Sequence, residues 1–172
     1  MNDQERLIRF EAEMLPLMHD AYNVARWLVQ NDEDARDAVQ EAYLRAFKFF
    51  GRMRSDTGKP WLLRIVRNVC YNHLKKRQNH SPDSIHREET DPGNQPEEAL
   101  QSKLDIAAVR SVLANLPEDF RTVLALRELE ELSYREISEI TQVPIGTVMS
   151  RLARGRQKLA EVLMEMRVSN LV

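Results

Sequence analysis

Residues 132–159 read LSYREISEITQVPIGTVMSRLARGRQKL, and this stretch decides the fold of the second half of the chain. Apolar residues recur there at helical spacing in two series, first Tyr134, Ile137 and Ile140, then Val148, Leu152 and Leu159. A break falls between the two series at residues 142–144, and proline suits the first turn of a helix. The second helix should therefore begin near Pro144 or Ile145, which predicts a helix-turn-helix.

The second of these helices carries hydroxyl and basic side chains on the face opposite its leucines. They follow a spacing of three and four: Thr147, Ser150, Arg151, Arg154 and Lys158, with Arg156 on the flank. Hydroxyls near a helix start can hold phosphates, and arginines can reach base edges. No acid occurs from Pro144 to Lys158, so basic charge is concentrated where DNA would lie. The alternative is an ordinary amphipathic helix with a solvated polar face.

The charge of the whole chain is close to neutral but unevenly distributed. A net charge of −2 over 172 residues and a pI near 6.1 argue against a protein that coats nucleic acid indiscriminately. Residues 59–77 nevertheless contain six lysines and arginines and no acid, whereas residues 32–41 contain five acids against Arg36. This pattern indicates separate surfaces for a polyanion and for a basic partner.

Cysteine use and hydropathy favour a reducing compartment. Cys70 is the single cysteine, which excludes an internal disulfide, and its place in an apolar run predicts a buried packing role. No apolar stretch approaches the roughly 20 residues that cross a bilayer, and the start MNDQERLIRF is no signal peptide. We therefore predict a cytoplasmic protein without direct membrane binding. His80 and His86 match no compact ligand spacing, so neither a metal nor a cofactor is expected.

The first half of the chain reads as a series of helices. Pro16 should interrupt a helical repeat of apolar residues in 7–30, leaving a short leader and a longer helix. Asn31 or Asp32 could cap the next helix, which should run to about Phe50. The inward side of that helix is predicted to carry Ala35, Val39, Ala42, Ala46 and Phe50, widened by Tyr43 and Phe47.

A loop at residues 51–60 precedes a helix predicted at 61–77, which has two distinct faces. The packing side holds Leu62, Ile65, Val66, Val69, Cys70 and Leu74. The other side holds Arg64, Arg67, Asn68, Tyr71 and Lys75. Charge can follow a nucleic-acid backbone, a ring can stack and an amide can read a base edge, so this face suits single-stranded nucleic acid. The alternative is a solvated basic face with Tyr71 half-buried.

Residues 78–98 have one large apolar residue and three prolines, which predicts a flexible acidic linker. Helical stripes resume after it, and Pro117 should start a helix that supports the helix-turn-helix. The predicted fold is therefore all-α, with small helical domains at 1–77 and 99–172 joined by the linker. Each domain is small, so its core should be marginal alone.

Three stretches, in this order, resemble the extracytoplasmic-function sigma factors, the minimal two-domain members of the bacterial primary-type sigma family. That family's polymerase-binding helix is similar to DARDAVQEAYLRAF, residues 34–47. Its minus-ten helix is similar to KPWLLRIVRNVCYNHLKKR, residues 59–77, and its minus-thirty-five domain is similar to residues 116–159. The resemblance covers nearly everything except the linker and the two ends.

The resemblance implies roles for the residues that match functional positions of the family. Binding to a basic coiled coil of the largest polymerase subunit falls on Asp37, Gln40, Glu41 and Leu44. Minus-ten binding falls on Arg52, Arg54, Lys59, Arg64, Arg67, Asn68, Tyr71 and Lys75, with Asn68 at the position that captures a flipped base. Minus-thirty-five binding falls on Tyr134, Thr147, Met149, Ser150, Arg151, Ala153, Arg154, Arg156 and Lys158.

The function implied is that of a sigma factor: it binds core RNA polymerase, directs it to a bipartite promoter and helps open the minus-ten region. The implied partners are core polymerase, promoter DNA and an anti-sigma protein, often membrane-anchored, with a monomer on DNA. One alternative is a stand-alone helix-turn-helix regulator, which would usually dimerise on a palindrome. The other is a nucleic-acid enzyme, but no phosphate loop or carboxylate pair beside a nucleophile is evident.

Four residues depart from the family pattern. Met149 stands where Lys or Arg is common, so one groove contact would be lost or replaced by contact with a thymine methyl. Met53 and Ser55 replace a usual aromatic residue and a usual glycine, which would change the preference of the base pocket. Ala38 replaces a common leucine on the docking helix and is expected to weaken polymerase binding slightly.

Overall fold

The computed structural model describes residues 2–53, 58–80 and 107–170, and these ranges contain helices and turns but no strand. The predicted all-α fold is confirmed. The helices are α1 Asp3–Met14, α2 Met18–Val29, α3 Asp32–Phe49, α4 Gly58–His80, α5 within 107–114, α6 Glu118–Leu124, α7 Tyr134–Thr141 and α8 Ile145–Asn170. Short 3₁₀ turns occupy Leu15–Leu17 and Phe50–Arg52, and a π-helical turn occupies Ala125–Leu129.

The helix ends follow the capping chemistry of the sequence. Pro16 lies in the 3₁₀ turn between α1 and α2, as predicted. Asn31 caps α3, because its side chain accepts a hydrogen bond from the backbone N of Asp34 at 3.0 Å. Ser133 caps α7 and forms a reciprocal capping box with Glu136. The predicted start of the second helix of the helix-turn-helix is confirmed, since α8 begins at Ile145.

Helices α2, α3 and α4 pack against one another to form the first domain. The inward side predicted for α3 is confirmed, and Ala38 belongs to it as well, since its side chain is fully buried. Ala38 therefore does not itself lie on the outward surface of α3, and its expected effect on polymerase binding stays a prediction. A residue without exposed atoms can change that surface only by shifting the packing beneath it.

Helix α1 is held to this domain by an aromatic cluster. The ring of Phe10 meets the rings of Phe47 and Phe50 edge to face, with centroids 5.2 and 5.3 Å apart. The hydroxyl of Tyr43, whose ring also contacts Phe10, donates a hydrogen bond to the carbonyl of Met14 at 2.6 Å. Burial is the main reason that the pKa of Tyr43 is raised to about 12.

The second domain is built on the packing of α6 against α8. A Cβ atom at Gly155 would lie 3.3 Å from side-chain atoms of Leu124 and 3.4 Å from Cβ of Phe120, so glycine permits this close approach. The apolar series of the helix-turn-helix faces inward as predicted, with Ile137, Ile140, Val148 and Leu152 buried.

The two domains pack against each other, with α7 against α4 and α6 against α2. Their buried residues form one hydrophobic cluster. The expectation of two separate lobes joined by a tether is thus incomplete for the described residues. Helical periodicity shows which face of a helix is apolar, but it does not show which other helix covers that face.

Helix α4 is longer than predicted at both ends. It begins at Gly58 instead of residue 61, so the loop is shorter than 51–60. It also continues to His80, three residues past the predicted end at Arg77. Neither proline nor glycine occurs at residues 78–80 to end the helix. Residues 54–57 and the rest of the linker lie outside the described residues.

Candidate polymerase and nucleic-acid interfaces

The predicted polymerase-binding residues lie on the outward side of α3. Leu44 is 68% exposed, an unusual position for a large apolar side chain, and Asp37 and Gln40 are exposed beside it. Glu41 differs from them because it contacts two bases: Arg45 Nη2 at 2.7 Å and His73 Nε2 at 3.1 Å. Asp37, Gln40 and Leu44 thus face solvent, whereas Glu41 is half-buried and joins α3 to α4.

An apolar groove of about 870 Å³ borders this side of α3. Three exposed apolar side chains of the N-terminal helices, Leu7, Leu15 and Met18, contribute to its lining. Gln40 and Leu44 line the same groove from α3. The groove and the polar residues of α3 therefore form one surface, which has the composition of a protein-binding site with an apolar centre and a polar rim.

The contacts of Glu41 lower its pKa from 4.5, mainly through the hydrogen bond with His73. A carboxylate with a lowered pKa stabilises the folded chain above pH 4.5, and this stabilisation is lost as the pH falls through the lowered value. Because the side chain is 39% exposed, we expect Glu41→Gln to reduce the free energy of unfolding at neutral pH by less than about 1 kcal/mol.

Urea unfolding of Glu41→Gln and wild type at neutral pH and below pH 4.5 measures this difference. The exposed Glu161→Gln serves as the matched control. A difference that persists undiminished in acid would show that the carboxylate of Glu41 is not its cause.

The predicted minus-ten residues of α4 contact one another. The guanidinium of Arg67 stacks 4.1 Å from the centroid of the Tyr71 ring and donates to Oδ1 of Asn68 at 3.0 Å. All three side chains are half-buried, whereas Arg64 and Lys75 are exposed. The structure therefore brings an amide, a ring and a cation together on one face of α4, as the helical spacing predicted.

The remaining minus-ten candidates lie outside this group. The ammonium of Lys59 pairs with Asp20 at 3.2 Å, and the guanidinium of Arg52 lies 5.3 Å from the Phe49 ring. Arg54 and Ser55 fall outside the described residues. Met53 is half-buried and packs against the hydrophobic core.

Two side chains of the polar face of α4 contact the second domain. The hydroxyl of Tyr71 lies 2.7 Å from Oγ1 of Thr122 on α6. The amide of Gln142 is assigned so that its oxygen faces Arg64, because only this orientation satisfies both groups. In that orientation the oxygen accepts from Arg64 Nε at 3.1 Å and from Nη1 at 3.2 Å. The alternative of a solvated basic face with Tyr71 half-buried therefore agrees with the exposure of Arg64, Lys75 and Tyr71, whereas Arg67 is half-buried.

The recognition helix α8 presents six of its predicted DNA-binding side chains to solvent: Met149, Ser150, Ala153, Arg154, Arg156 and Lys158. Met149 is 53% exposed, which suits an apolar contact on this face. Ser150 also donates its hydroxyl to the carbonyl of Thr147 at 3.1 Å, and Thr147 itself is half-buried.

Two of the candidate arginines of α8 are engaged by acids within the same domain. Arg156 Nη2 lies 2.8 Å from Oε1 of Glu128, and this hydrogen bond is the main reason that the pKa of Arg156 is raised. Arg151 lies 3.7 Å from Asp119. Tyr134, the candidate on α7, is half-buried with the guanidinium of Arg127 4.6 Å from its ring centroid.

Gly155, Gln142 and Thr122 were not singled out from the sequence. The close packing at Gly155 could have been predicted from the sequence. A glycine inside a helix costs stability unless close packing requires it. The contacts of Thr122 and Gln142 could not, since their partners lie more than fifty residues away in the sequence.

Comparison with known proteins identifies the family. The family model for Sigma-70 region 2 matches residues 16–80, and that for Sigma-70, region 4 matches residues 106–159. The RNA polymerase sigma-H factor of Pseudomonas aeruginosa is 34% identical over 165 residues, covering 90% of this chain and 86% of that protein. The ECF RNA polymerase sigma-E factor of Escherichia coli K12 is 35% identical over 137 residues, covering 73% and 72%.

The chain belongs to the extracytoplasmic-function sigma factors. It is a transcription initiation factor that directs promoter-specific transcription, and the stand-alone regulator is not favoured. The structure of the sigma factor RpoE with the anti-sigma factor NepR from Bartonella quintana matches this sigma factor with a TM-score of 0.74 at 27% identity. That match covers 91% of this chain and 97% of the Bartonella chain.

Two further observations bear on the sigma factor. Among its described residues, no group of three or more His, Cys, Asp or Glu side chains is placed to hold a metal ion. In the same residues, no helix is long and apolar enough to span a membrane. Cys70 is buried as predicted, and its burial raises the pKa of its thiol to about 12.

Proposed function

We propose that this sigma factor binds core RNA polymerase through the outward side of α3, opens the minus-ten element with α4 and reads the minus-thirty-five element with α8. The observation that carries the proposal is the exposure of Leu44, 68%, next to Asp37 and Gln40 at the border of an apolar groove. The chain itself makes no covalent bond in this role, because the polymerase performs the chemistry. The proposed domains are 1–80, with α4 extended as observed, and 99–172.

The chemistry of the α3 surface fits a basic helical partner. Acids such as Asp37 steer a basic partner and fix its orientation, whereas apolar residues such as Leu44 contribute affinity once water is excluded. Glu41 lies at the edge of this surface, and its carboxylate oxygens already bind Arg45 and His73. The apolar groove beside these residues extends the area that a partner helix can bury.

We expect Asp37→Lys to weaken binding to bacterial core RNA polymerase by about tenfold or more, about 1.4 kcal/mol, because it would place like charges in contact. Leu44→Ala should also weaken binding, through lost apolar contact. Fluorescence anisotropy of labelled chain titrated with core polymerase measures both. Glu161→Lys and Leu163→Ala, exposed residues on α8, are the matched controls.

The outcomes distinguish an error in the assigned binding surface from an error in the proposed function. Equal binding of all four variants would place the polymerase contact elsewhere on the chain. No binding by the wild-type chain would contradict the proposed function itself. Asp37 is preferred over Glu41 for the charge reversal because Glu41→Lys would also remove the contacts with Arg45 and His73.

On the minus-ten side, the proposal assigns base capture to Asn68, with Tyr71 for stacking and Arg64, Arg67 and Lys75 for phosphates. Arg67 already orients both Asn68 and Tyr71, which reduces the freedom that DNA binding would remove. On the minus-thirty-five side, exposed Arg154 and Lys158 are the cations best placed for the major groove, and Met149 can contact a thymine methyl.

The proposal also includes an anti-sigma partner and a cytoplasmic location. Support for the partner comes from the Bartonella sigma factor, which was solved with the anti-sigma factor NepR and shares its fold over 91% of this chain. Support for the location comes from the lone thiol of Cys70, which suits a reducing compartment.

A further inference from the structure

Acidic side chains reach the DNA-binding part of α8 from elsewhere in the second domain. Residues 144–158 contain four lysines and arginines and no acid. The π-helical turn nevertheless brings Glu128 to Arg156, and α6 brings Asp119 to Arg151. Two of the four cations therefore have a carboxylate partner, although the sequence of the helix itself keeps acids away from them.

The contact between Glu128 and Arg156 resembles the contact that an arginine makes with a phosphate oxygen. Nε of Arg156 donates to Oε1 of Glu128 at 2.8 Å, and Nη2 lies 2.8 Å from the same oxygen. The hydrogen bond with this carboxylate is the main reason that the pKa of Arg156 is raised, and a hydrogen bond with Tyr134 adds to the effect. Arg156 and Tyr134, both expected to bind the minus-thirty-five element, thus meet beside a protein anion.

The π-helical turn Ala125–Leu129 holds Glu128 in this position. Arg127 in the same turn donates to the carbonyl of Leu132 at 2.8 Å, and its guanidinium lies 4.6 Å from the ring centroid of Tyr134 on α7. The turn therefore contacts α7 through one side chain and α8 through the next. Turns of this kind are rare and often occur at functional sites.

Solvent reaches the contact between Glu128 and Arg156, so a DNA phosphate can reach it as well. The side chain of Arg156 is 48% exposed and that of Glu128 is 50% exposed. An exposed ion pair stabilises a fold only slightly, so the main effect of this one is on the charge that the surface presents. The pair brings no net charge to DNA, whereas the arginine alone would bring one positive charge.

We propose that Glu128 is a phosphate mimic: its carboxylate binds Arg156 in the place of a DNA phosphate and thereby weakens the binding of α8 to duplexes of every sequence. The inference rests on the proposed function, because that function assigns α8 to duplex DNA. Phosphate contacts carry no sequence information, and a genome offers a large excess of non-promoter duplex. Weaker phosphate binding leaves promoter choice to side chains that reach base edges, such as the exposed Arg154.

The first test removes the charge of the mimic. Glu128→Gln keeps the size of the side chain but gives this surface one more net positive charge. Glu139→Gln is the matched control, because Glu139 also pairs with an exposed arginine, Arg135 at 3.9 Å, which the proposed function does not assign to DNA. Both variants change the charge of the second domain equally, so only the position of the change differs.

Binding of holoenzyme to a labelled promoter duplex over a series of salt concentrations measures the effect. We expect Glu128→Gln to bind about two- to fivefold more tightly than Glu139→Gln at low salt, the range for one exposed ion pair. Its salt dependence should steepen by about one unit, because one more phosphate is neutralised. A duplex with a scrambled minus-thirty-five element should show the same fold change, because the gained contact is to phosphate.

The second test connects the effect to Arg156. Arg156→Ala should weaken binding more in the Glu128→Gln chain than in the wild-type chain, because in wild type the guanidinium is already engaged. The expected difference is again about two- to fivefold, and it should cancel the added unit of salt dependence. Thermal unfolding of each variant checks the fold, since loss of an exposed pair should lower the midpoint by no more than about 4 °C.

The outcomes of the two tests are distinct. Equal affinity and equal salt dependence for Glu128→Gln and Glu139→Gln would overturn the inference, as would an equal loss from Arg156→Ala in both chains. A gain confined to the promoter sequence would also overturn it, because Arg156 would then read a base. If wild-type holoenzyme did not distinguish the promoter from the scrambled duplex, the proposed function would fail and the inference with it. If wild type does distinguish them and Glu128→Gln binds like its control, the proposed function stands and the phosphate mimic does not.

Discussion

Phe10→Ala lowers the free energy of unfolding by about 3–5 kcal/mol, the range for a buried phenylalanine truncated to alanine. Phe10 is 6% exposed, and its ring meets those of Tyr43, Phe47 and Phe50. The substitution removes these edge contacts together with the buried area and leaves a cavity where α1 crosses α3. A loss of this size is a large fraction of the stability of a small domain.

The expected result is measured by urea unfolding followed by circular dichroism. The control is Ile8→Ala on the same helix, because Ile8 is 60% exposed and its truncation should change stability by no more than about 0.5 kcal/mol. Similar losses for the two variants would mean that α1 does not pack on the first domain through Phe10. Phe10 and Leu44 also line the same groove, which the proposed function assigns to polymerase binding.

Arg154→Ala should produce the largest effect on DNA binding among the arginines of α8. If Arg154 reads a base, promoter binding weakens by about 1–3 kcal/mol, and if it binds a phosphate, the salt dependence falls by about one unit. The structural reason for this ranking is that Arg154 is exposed, whereas Arg151 and Arg156 are held by Asp119 and Glu128. Those two arginines would have to exchange a protein carboxylate for DNA, so their net contribution is smaller.

Binding of holoenzyme to a duplex promoter over a series of salt concentrations distinguishes the two roles of Arg154. Arg135→Ala, an exposed arginine on α7, is the matched control and should change binding by no more than about 0.5 kcal/mol. Unchanged affinity and salt dependence for Arg154→Ala would remove this residue from the interface. A larger effect for Arg151→Ala than for Arg154→Ala would contradict the ranking by carboxylate partners.

The interface between the domains also contributes to stability. Each domain alone is small and should be marginally stable, so burial between domains adds to the stability of the free chain. The same contact holds the hydroxyl of Tyr71 against Thr122 and the guanidinium of Arg64 against Gln142.

Most of the local structure could be predicted from the sequence because its causes are local. The apolar series on α3, α7 and α8 fixed which faces are buried, Asn31 fixed a helix start, and Pro16 fixed a helix break. The grouping of Arg67, Asn68 and Tyr71 also followed from helical spacing. The predicted ends of α4 were wrong, because the helix extends past both of them.

The sequence by itself determined the helices, the helix-turn-helix, the basic face of α8 and, through three ordered motifs, the family. Only the tertiary structure decided which of those residues face solvent, which arginines carry carboxylate partners, and that α6 and α7 contact α4. The physical reason is range. Helix periodicity and capping depend on neighbours within a few residues, whereas the bond between Tyr71 and Thr122 joins positions 51 residues apart. Such a contact depends on the mutual packing of whole helices, for which the chain carries no local signal.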